Sequence, residues 1–244
     1  VTATSNSRRK AYEAIAAELR QQIVLGQLAN GSRLPNENSL AEQYGVSRAT
    51  IREALRLLAA QDLIRTAKGA GGGSYVQVPT VHRISEFLES SINLLSSAER
   101  VTFEELLEAR ALLEVPAARL AAQRRAEEDV ERLHAATHED EPAKDADAEF
   151  RQNADFHRLV LEACGNTLLT IAAQPIFTVL MTGFARSSLS AKFHRAVRAQ
   201  HLEIADAIAK GDPDLAGEVM ASHLEYLRPT YARLWEQARK RKQS

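Results

Sequence analysis

The stretch "LPNENSLAEQYGVSRATIREALRLLAAQD", residues 34–62, constrains the chain more than any other. Asn36 can cap a helix just after Pro35, with Leu40 and Ala41 facing inward, and Gly45 ends it. Ser47 is a good cap for the next helix, whose Ile51, Leu55 and Leu58 form one apolar stripe. Two short helices meeting across the tight turn "YGVS" make a helix-turn-helix. Upstream, Tyr12, Ile15, Leu19 and Ile23 recur with helical spacing until Gly26, while the polar residues 1–9 are expected to fray. Downstream, "LIRTAK" and "SYVQV" alternate in strand fashion around "GAGGG", which predicts a two-stranded hairpin, the wing.

From about Ser85 onward the pattern is helical throughout, with segments near 85–97, 102–123, 127–139, 144–164, 167–186, 189–210 and 213–240. "GNT", "GDPD" and "EDEPAKD" serve as connectors, and Pro116 should kink or break the second segment. The expected fold is mainly α: a winged helix-turn-helix over residues 10–79, then an antiparallel all-α bundle of six to seven helices over 84–240. A length of 244 residues favours two such domains. Charge divides the same way, since residues 1–80 carry ten Lys/Arg against six Asp/Glu and the remainder is acidic. A basic module ahead of an acidic one suits a nucleic-acid-binding head on an unrelated body. The single Cys164 excludes an intrachain disulfide and fits a reducing compartment. No signal peptide opens the chain and no apolar run is long enough to span a bilayer, so the expected location is cytoplasmic, with no membrane partner.

A recognition helix must offer its first turn to the major groove, with long donors opposite the apolar stripe. Arg48 and Arg52 stand four residues apart on that outer face, with Thr50 between them. Either arginine could grip guanine through two donors, while Thr50 and the wing residue Lys68 suit phosphate. Residues 11–78 resemble the winged-helix domain of GntR-type transcriptional regulators, whose core runs L-P-S-E-R-x-L-A-x-x-x-G-V-S-R-x-T-V-R-E-A-L. The resemblance implies that Arg48, Thr50 and Arg52 contact DNA and that Lys68 and Gly69 form the wing tip in the minor groove. Asn38 stands where many relatives have an operator-reading arginine, which suits a weaker contact or one aimed at adenine.

In the helical region, Asn153 and His157 share a helix face, whereas Asp155 is rotated about 200° from Asn153. His157, His201 and His223 each lie in or beside an apolar stripe on a different helix. Three inward imidazoles and one oxygen donor can hold a divalent metal, although a lone inward histidine is more often a packed core residue. His194 lies on nearly the same face as His201. The stretches "EARALLEVPAARLAA", "NADFHRLVLEACGN" and "QHLEIADAIAKGDPDLAGEVMASHL" resemble the three signature stretches of the FCD domain, the all-α effector domain of the FadR subgroup of these regulators. Many metal-binding members carry Asp-x3-His followed by two further histidines. By that resemblance Asn153, His157, His201 and His223 form the ligand set for a divalent transition metal, zinc or nickel, with an amide replacing the usual carboxylate. Arg110 matches an arginine that reaches the ligand pocket; from spacing alone it equally forms a surface ion pair with Glu114. Gln174, Thr178, Thr182 and Arg186 repeat every four residues and could line an effector cavity or bond between helices.

The function expected is therefore a regulator, a repressor by what the resemblance implies, that binds a two-fold operator in double-stranded DNA as a homodimer and answers to a small organic acid or sugar acid. A metal-free pocket is the alternative, and a metal-dependent hydrolase is disfavoured because the ligand helices offer no general base at a fixed offset.

Overall fold

The computed structural model describes the backbone at residues 2–69, 72–137, 146–183 and 189–243, and side chains at 10–69, 72–137, 152–180 and 189–240. The chain divides into two compact units, Val1–Thr80 and Val81–Ser244. No helix among the described residues is long and apolar enough to cross a membrane.

The first unit holds α1 (Thr2–Val24), α2 (Glu37–Tyr44), α3 (Arg48–Ala60), β1 (Ile64–Ala67) and β2 (Gly73–Val76). The α1 helix reaches back to Thr2, where fraying was expected; residues 2–9 contain no glycine or proline to stop it. Asn36 caps α2 by accepting from the backbone N–H groups of Asn38 and Ser39, and Gly45 closes it at φ 63°, a conformation that costs glycine nothing. Ser47 Oγ accepts from the Thr50 N–H to start α3. Ile15, Leu19, Leu40, Ile51, Leu58, Ile64 and Val76 then close one core from all five elements.

The strands β1 and β2 pair antiparallel, Ile64 opposite Val76 and Ala67 opposite Gly73. A third extended segment extends this wing: Leu34 N–H donates to Ser74 O and Val76 N–H to Ser32 O, both at 2.8 Å. Only three residues long, it carries no alternating pattern that the sequence could announce. Gly73, at φ 152°, lies against the Arg33 guanidinium, where an added Cβ would stand 2.7 Å from Nε.

The second unit is built from α4 (Val81–Ser97), α5 (Phe103–Arg124), α6 (Glu127–Ala135), α7 (Ala146–Ala163), α8 (Thr167–Gly183), α9 (Ala191–Lys210) and α10 (Pro213–Gln243). The α5 helix starts in a capping box between Thr102 and Glu105. Gly165 with Asn166 and Gly211 with Asp212 each stop one helix and cap the next, so short sequences reverse the chain. Helix α5 packs against α7, α8, α9 and α10, and its Ala117, Ala118, Ala121 and Ala122 are wholly buried, small enough for close approach of backbones. Pro116 does not break α5. It is exposed, as is Leu112 one turn earlier, so water can satisfy the carbonyl that loses its partner. The connector "EDEPAKD" lies outside the described residues.

Removing the α2 cap tests this account of the first unit. Asn36→Ala should cost the unit about 1 kcal/mol, seen as faster amide hydrogen exchange at Ile51 and Leu55. Asn36→Asp, which keeps the acceptor, should change little.

Candidate nucleic-acid interface and metal centre

In the first unit, α3 presents Arg48, Arg52 and Arg56, one per successive turn, to solvent, opposite the buried Ile51, Leu55 and Leu58. Glu37, which the sequence reading did not single out, holds this face together. Its carboxylate accepts from Arg52 Nε at 3.2 Å and Nη2 at 2.8 Å, and Arg48 Nη2 stands 3.8 Å away. The hydrogen bond from Arg52 holds the Glu37 carboxyl below its usual range despite a small opposing effect of burial. A carboxylate in the first turn of the preceding helix, fifteen residues from Arg52, was a signal available in "NEN".

Thr50 is placed differently from the expectation. It is 4 % exposed, and its Oγ1 lies 2.9 Å from Ser47 Oγ, so it closes the helix start instead of standing between the arginines. Asn38 is exposed on α2, with its backbone N–H donated to Asn36 Oδ1. Lys68 and Gly69 are exposed at the wing, Gly69 at φ 100°, and residues 70–71 between them and β2 lie outside the described residues. Arg65, another exposed cation of the wing, lies over the Tyr75 ring at 4.8 Å.

In the second unit, three helices bring His157 (α7), His201 (α9) and His223 (α10) together in the interior. One ring nitrogen of each lies within 4.8 Å of the others. His201 stacks flat on Phe156, with centroids 4.0 Å apart. Around them stands a buried ion pair, Arg110 and Glu114 on α5, each 2 % exposed. Arg110 Nε donates to Glu114 Oε1 at 2.5 Å, and Glu114 Oε2 lies 2.6 Å from His157 Nδ1. The spacing thus paired the right residues, but the pair is in the core and not on the surface.

These contacts set the protonation states. Burial pushes the Glu114 carboxyl up, but Arg110 and then His157 override it and hold the group down at about 2. Burial depresses all three imidazoles, His201 and His223 furthest, so they are neutral and carry a lone pair each. A carboxylate only accepts, so His157 carries its proton on Nδ1; His223 Nδ1 likewise donates to Gln200 Oε1 at 2.8 Å. Both lone pairs then lie on Nε2, and the two Nε2 atoms face each other at 3.3 Å.

That arrangement fits a metal ion. Two nitrogens held at ~2.0–2.1 Å by one tetrahedral cation stand ~3.3–3.4 Å apart. His201 Nε2 is fully buried with no hydrogen-bond partner among the described residues, a ring nitrogen whose lone pair a cation would satisfy in the tautomer protonated on Nδ1. Asn153, one turn before His157, donates Nδ2 to Tyr231 Oη at 3.2 Å, so Oδ1 is the atom of this amide that suits a cation. Asp155 is exposed and bonds Arg158. One contact competes with the ion: Arg110 Nη2 is 3.0 Å from His157 Nε2.

Beside the cluster lies a cavity of about 50 Å³ whose polar lining includes Asn153, His194, Arg198, His201 and Tyr231. Of the proposed effector contacts, Arg110, Gln174 and Thr178 are not among its lining residues. Thr178 donates its hydroxyl to Gln174 O on its own helix. The side chains of Thr182 and Arg186 lie outside the described residues. Arg198 was missed because a single arginine on a mixed helix face carries no periodic signal.

Comparison with known proteins places both units. Residues 11–73 match the profile of bacterial regulatory proteins of the gntR family, and residues 105–226 that of the FCD domain. The chain is 33% identical over 206 residues to the HTH-type transcriptional regulator LutR of Bacillus subtilis (strain 168), covering 82% of this chain and 91% of that protein. It is 30% identical to the HTH-type transcriptional repressor NanR of Enterobacter sp. (strain 638), covering 97% and 91%. Among solved structures, Streptococcus agalactiae GntR shares the fold, with a TM-score of 0.56 at 24% identity over 89% of this chain and 99% of that one. The capped helix-turn-helix with its wing and the FCD bundle behind it thus make this chain a member of the GntR family, a DNA-binding transcriptional regulator and not an enzyme.

Proposed function

We propose that the protein is a ligand-responsive repressor that binds a two-fold operator as a homodimer and takes a small carboxylate effector in a helical pocket containing zinc or nickel. The observation that carries this reading is the convergence of three neutral, buried imidazoles beside a cavity in the unit matched to the FCD domain. When bound, the cation would supply a positive, Lewis-acidic contact for an effector oxygen. His157, His201 and His223 would hold it, with Asn153 Oδ1 as fourth donor. Among the described residues beside the imidazoles, Arg110 and Glu114 cancel and Asn153 is neutral, while Arg198 on the cavity wall is cationic. An anionic effector therefore suits the site.

The DNA-facing roles follow from the exposed arginines. Arg48 and Arg52 read guanine edges from the first turn of α3, Glu37 fixes their direction, and Lys68 with Gly69 reaches the backbone or minor groove. Homodimerisation is supported by apolar side chains left uncovered on the single chain: Phe87 and Leu94, one heptad apart on α4, are 71% and 73% exposed. Repression is supported by the similarity of the chain, over nearly all its length, to the transcriptional repressor NanR. For the effector to switch the repressor it must bind two arrangements of the dimer with different affinity.

A second reading keeps the regulator and removes the metal. The 3.0 Å contact from Arg110 Nη2 to His157 Nε2 favours it, since the guanidinium then takes the lone pair that a cation needs.

Two measurements check these proposals. In gel-shift titrations against the operator, Arg48→Ala and Arg52→Ala should each weaken specific binding by roughly 1–3 kcal/mol without loss of helicity; unchanged affinity removes the assignment. After loading with zinc or nickel and dialysis, metal analysis should find about one ion per chain, lost in His201→Ala. Protein that retains no ion supports the metal-free pocket instead.

A further inference from the structure

The cavity beside the histidines has a polar side and an apolar side, the latter including Phe193, Val197 and Leu234. Two arginines lie near enough to matter, and they differ in whether they reach the cavity. Arg110 is enclosed: it is bonded to Glu114, stacked over Phe177 at 4.6 Å, in contact with His157, and absent from the cavity lining. Arg198 lines the cavity, is half-buried, and forms no hydrogen bond or ion pair with any described residue. A guanidinium partly withdrawn from water without a partner among the described residues is at a disadvantage that a two-oxygen anion removes by accepting a pair of parallel hydrogen bonds.

We infer that Arg198 is the residue that holds the carboxylate of the effector, in the place assigned to Arg110 by sequence. This deepens the effector reading above and rests on it. Arg198 precedes His201 by three residues on α9, a rise of ~4.5 Å. An acid gripped at Arg198 therefore points its remaining atoms along α9 toward the imidazoles, Asn153 and Tyr231. The ligand class is a small organic acid with its carboxylate at Arg198, a short body against Phe193, Val197 and Leu234, and an oxygen-bearing group at the histidine end. Room is limited, because about 50 Å³ holds the equivalent of roughly three to five waters. That favours acids of a few carbons over a full-length sugar acid.

The test is isothermal titration of the zinc-loaded 244-residue protein with acetate, glycolate, succinate and gluconate, and with the neutral acetamide, glycolamide and succinamide. At least one of the smaller acids should bind saturably and its amide should not. R198Q, with unchanged circular dichroism and zinc content, should bind that acid roughly tenfold more weakly or worse. R198K, which restores charge without the two-pronged geometry, should recover part of the loss. Equal affinity of the acid for wild type and R198Q overturns the role of Arg198 while leaving an acid effector in place. Amides binding as well as acids also overturn it. If none of the acids binds the wild type, the acid-effector reading itself fails and this inference falls with it. Should R198Q not fold, R198K decides: several-fold weaker acid binding is expected, and wild-type affinity overturns the assignment.

Discussion

A carboxylate sealed in the interior, Glu114, sets the terms for the helical unit. Removing an ion from water costs several kcal/mol even after relaxation, and here Arg110 on the same helix and His157 on α7 offset it. The pair is an uneconomical way to fill a core, since apolar residues of similar volume serve stability as well or better. What apolar residues could not do is orient an imidazole. Glu114 holds the proton of His157 on Nδ1 and so turns Nε2 toward His223. Gln200 does the same for His223 from α9. The alanine face of α5 completes the arrangement, because close packing of α7, α9 and α10 on α5 brings the three rings within reach of one another.

The interface on the first unit is built by related means. A half-buried carboxylate, Glu37, holds Arg52 through two hydrogen bonds and has Arg48 close by, which restricts the rotamers these side chains would otherwise sample. A cost of ordering flexible side chains is thereby met before DNA arrives. The two sites therefore share a device: a carboxylate that contacts the cationic or metal-seeking group without occupying its outward atoms.

Much of this was legible in the sequence. Helices declared themselves through stripes such as Ile51, Leu55 and Leu58 and through Gly-Asn and Gly-Asp connectors, because a cap and a stop are local chemistry. The inward trio of histidines was legible for the same reason, each lying on a stripe. What could not be read was anything decided by three-dimensional neighbours. Thr50 looked outward by its place between two arginines, but the cap at Ser47 draws its hydroxyl in. Arg110 and Glu114 were an obvious i, i+4 pair, yet nothing local said that the pair would be buried. The repeat of Gln174 and Thr178 suggested a lining face, whereas the threonine hydroxyl is spent on its own helix. Arg198 and the Ser32–Leu34 strand gave no pattern at all and emerge only from tertiary placement.

The central claim is that the His157–His201–His223 cluster is a metal centre and not a packed polar core. Anomalous scattering at the zinc absorption edge, from crystals of the zinc-loaded protein, addresses it most directly. The account predicts one strong peak bonded to Nε2 of His157 and His223 and to a nitrogen of His201, with Arg110 withdrawn from His157. An absence of any peak there, with Arg110 Nη2 still seated on His157 Nε2, would contradict it.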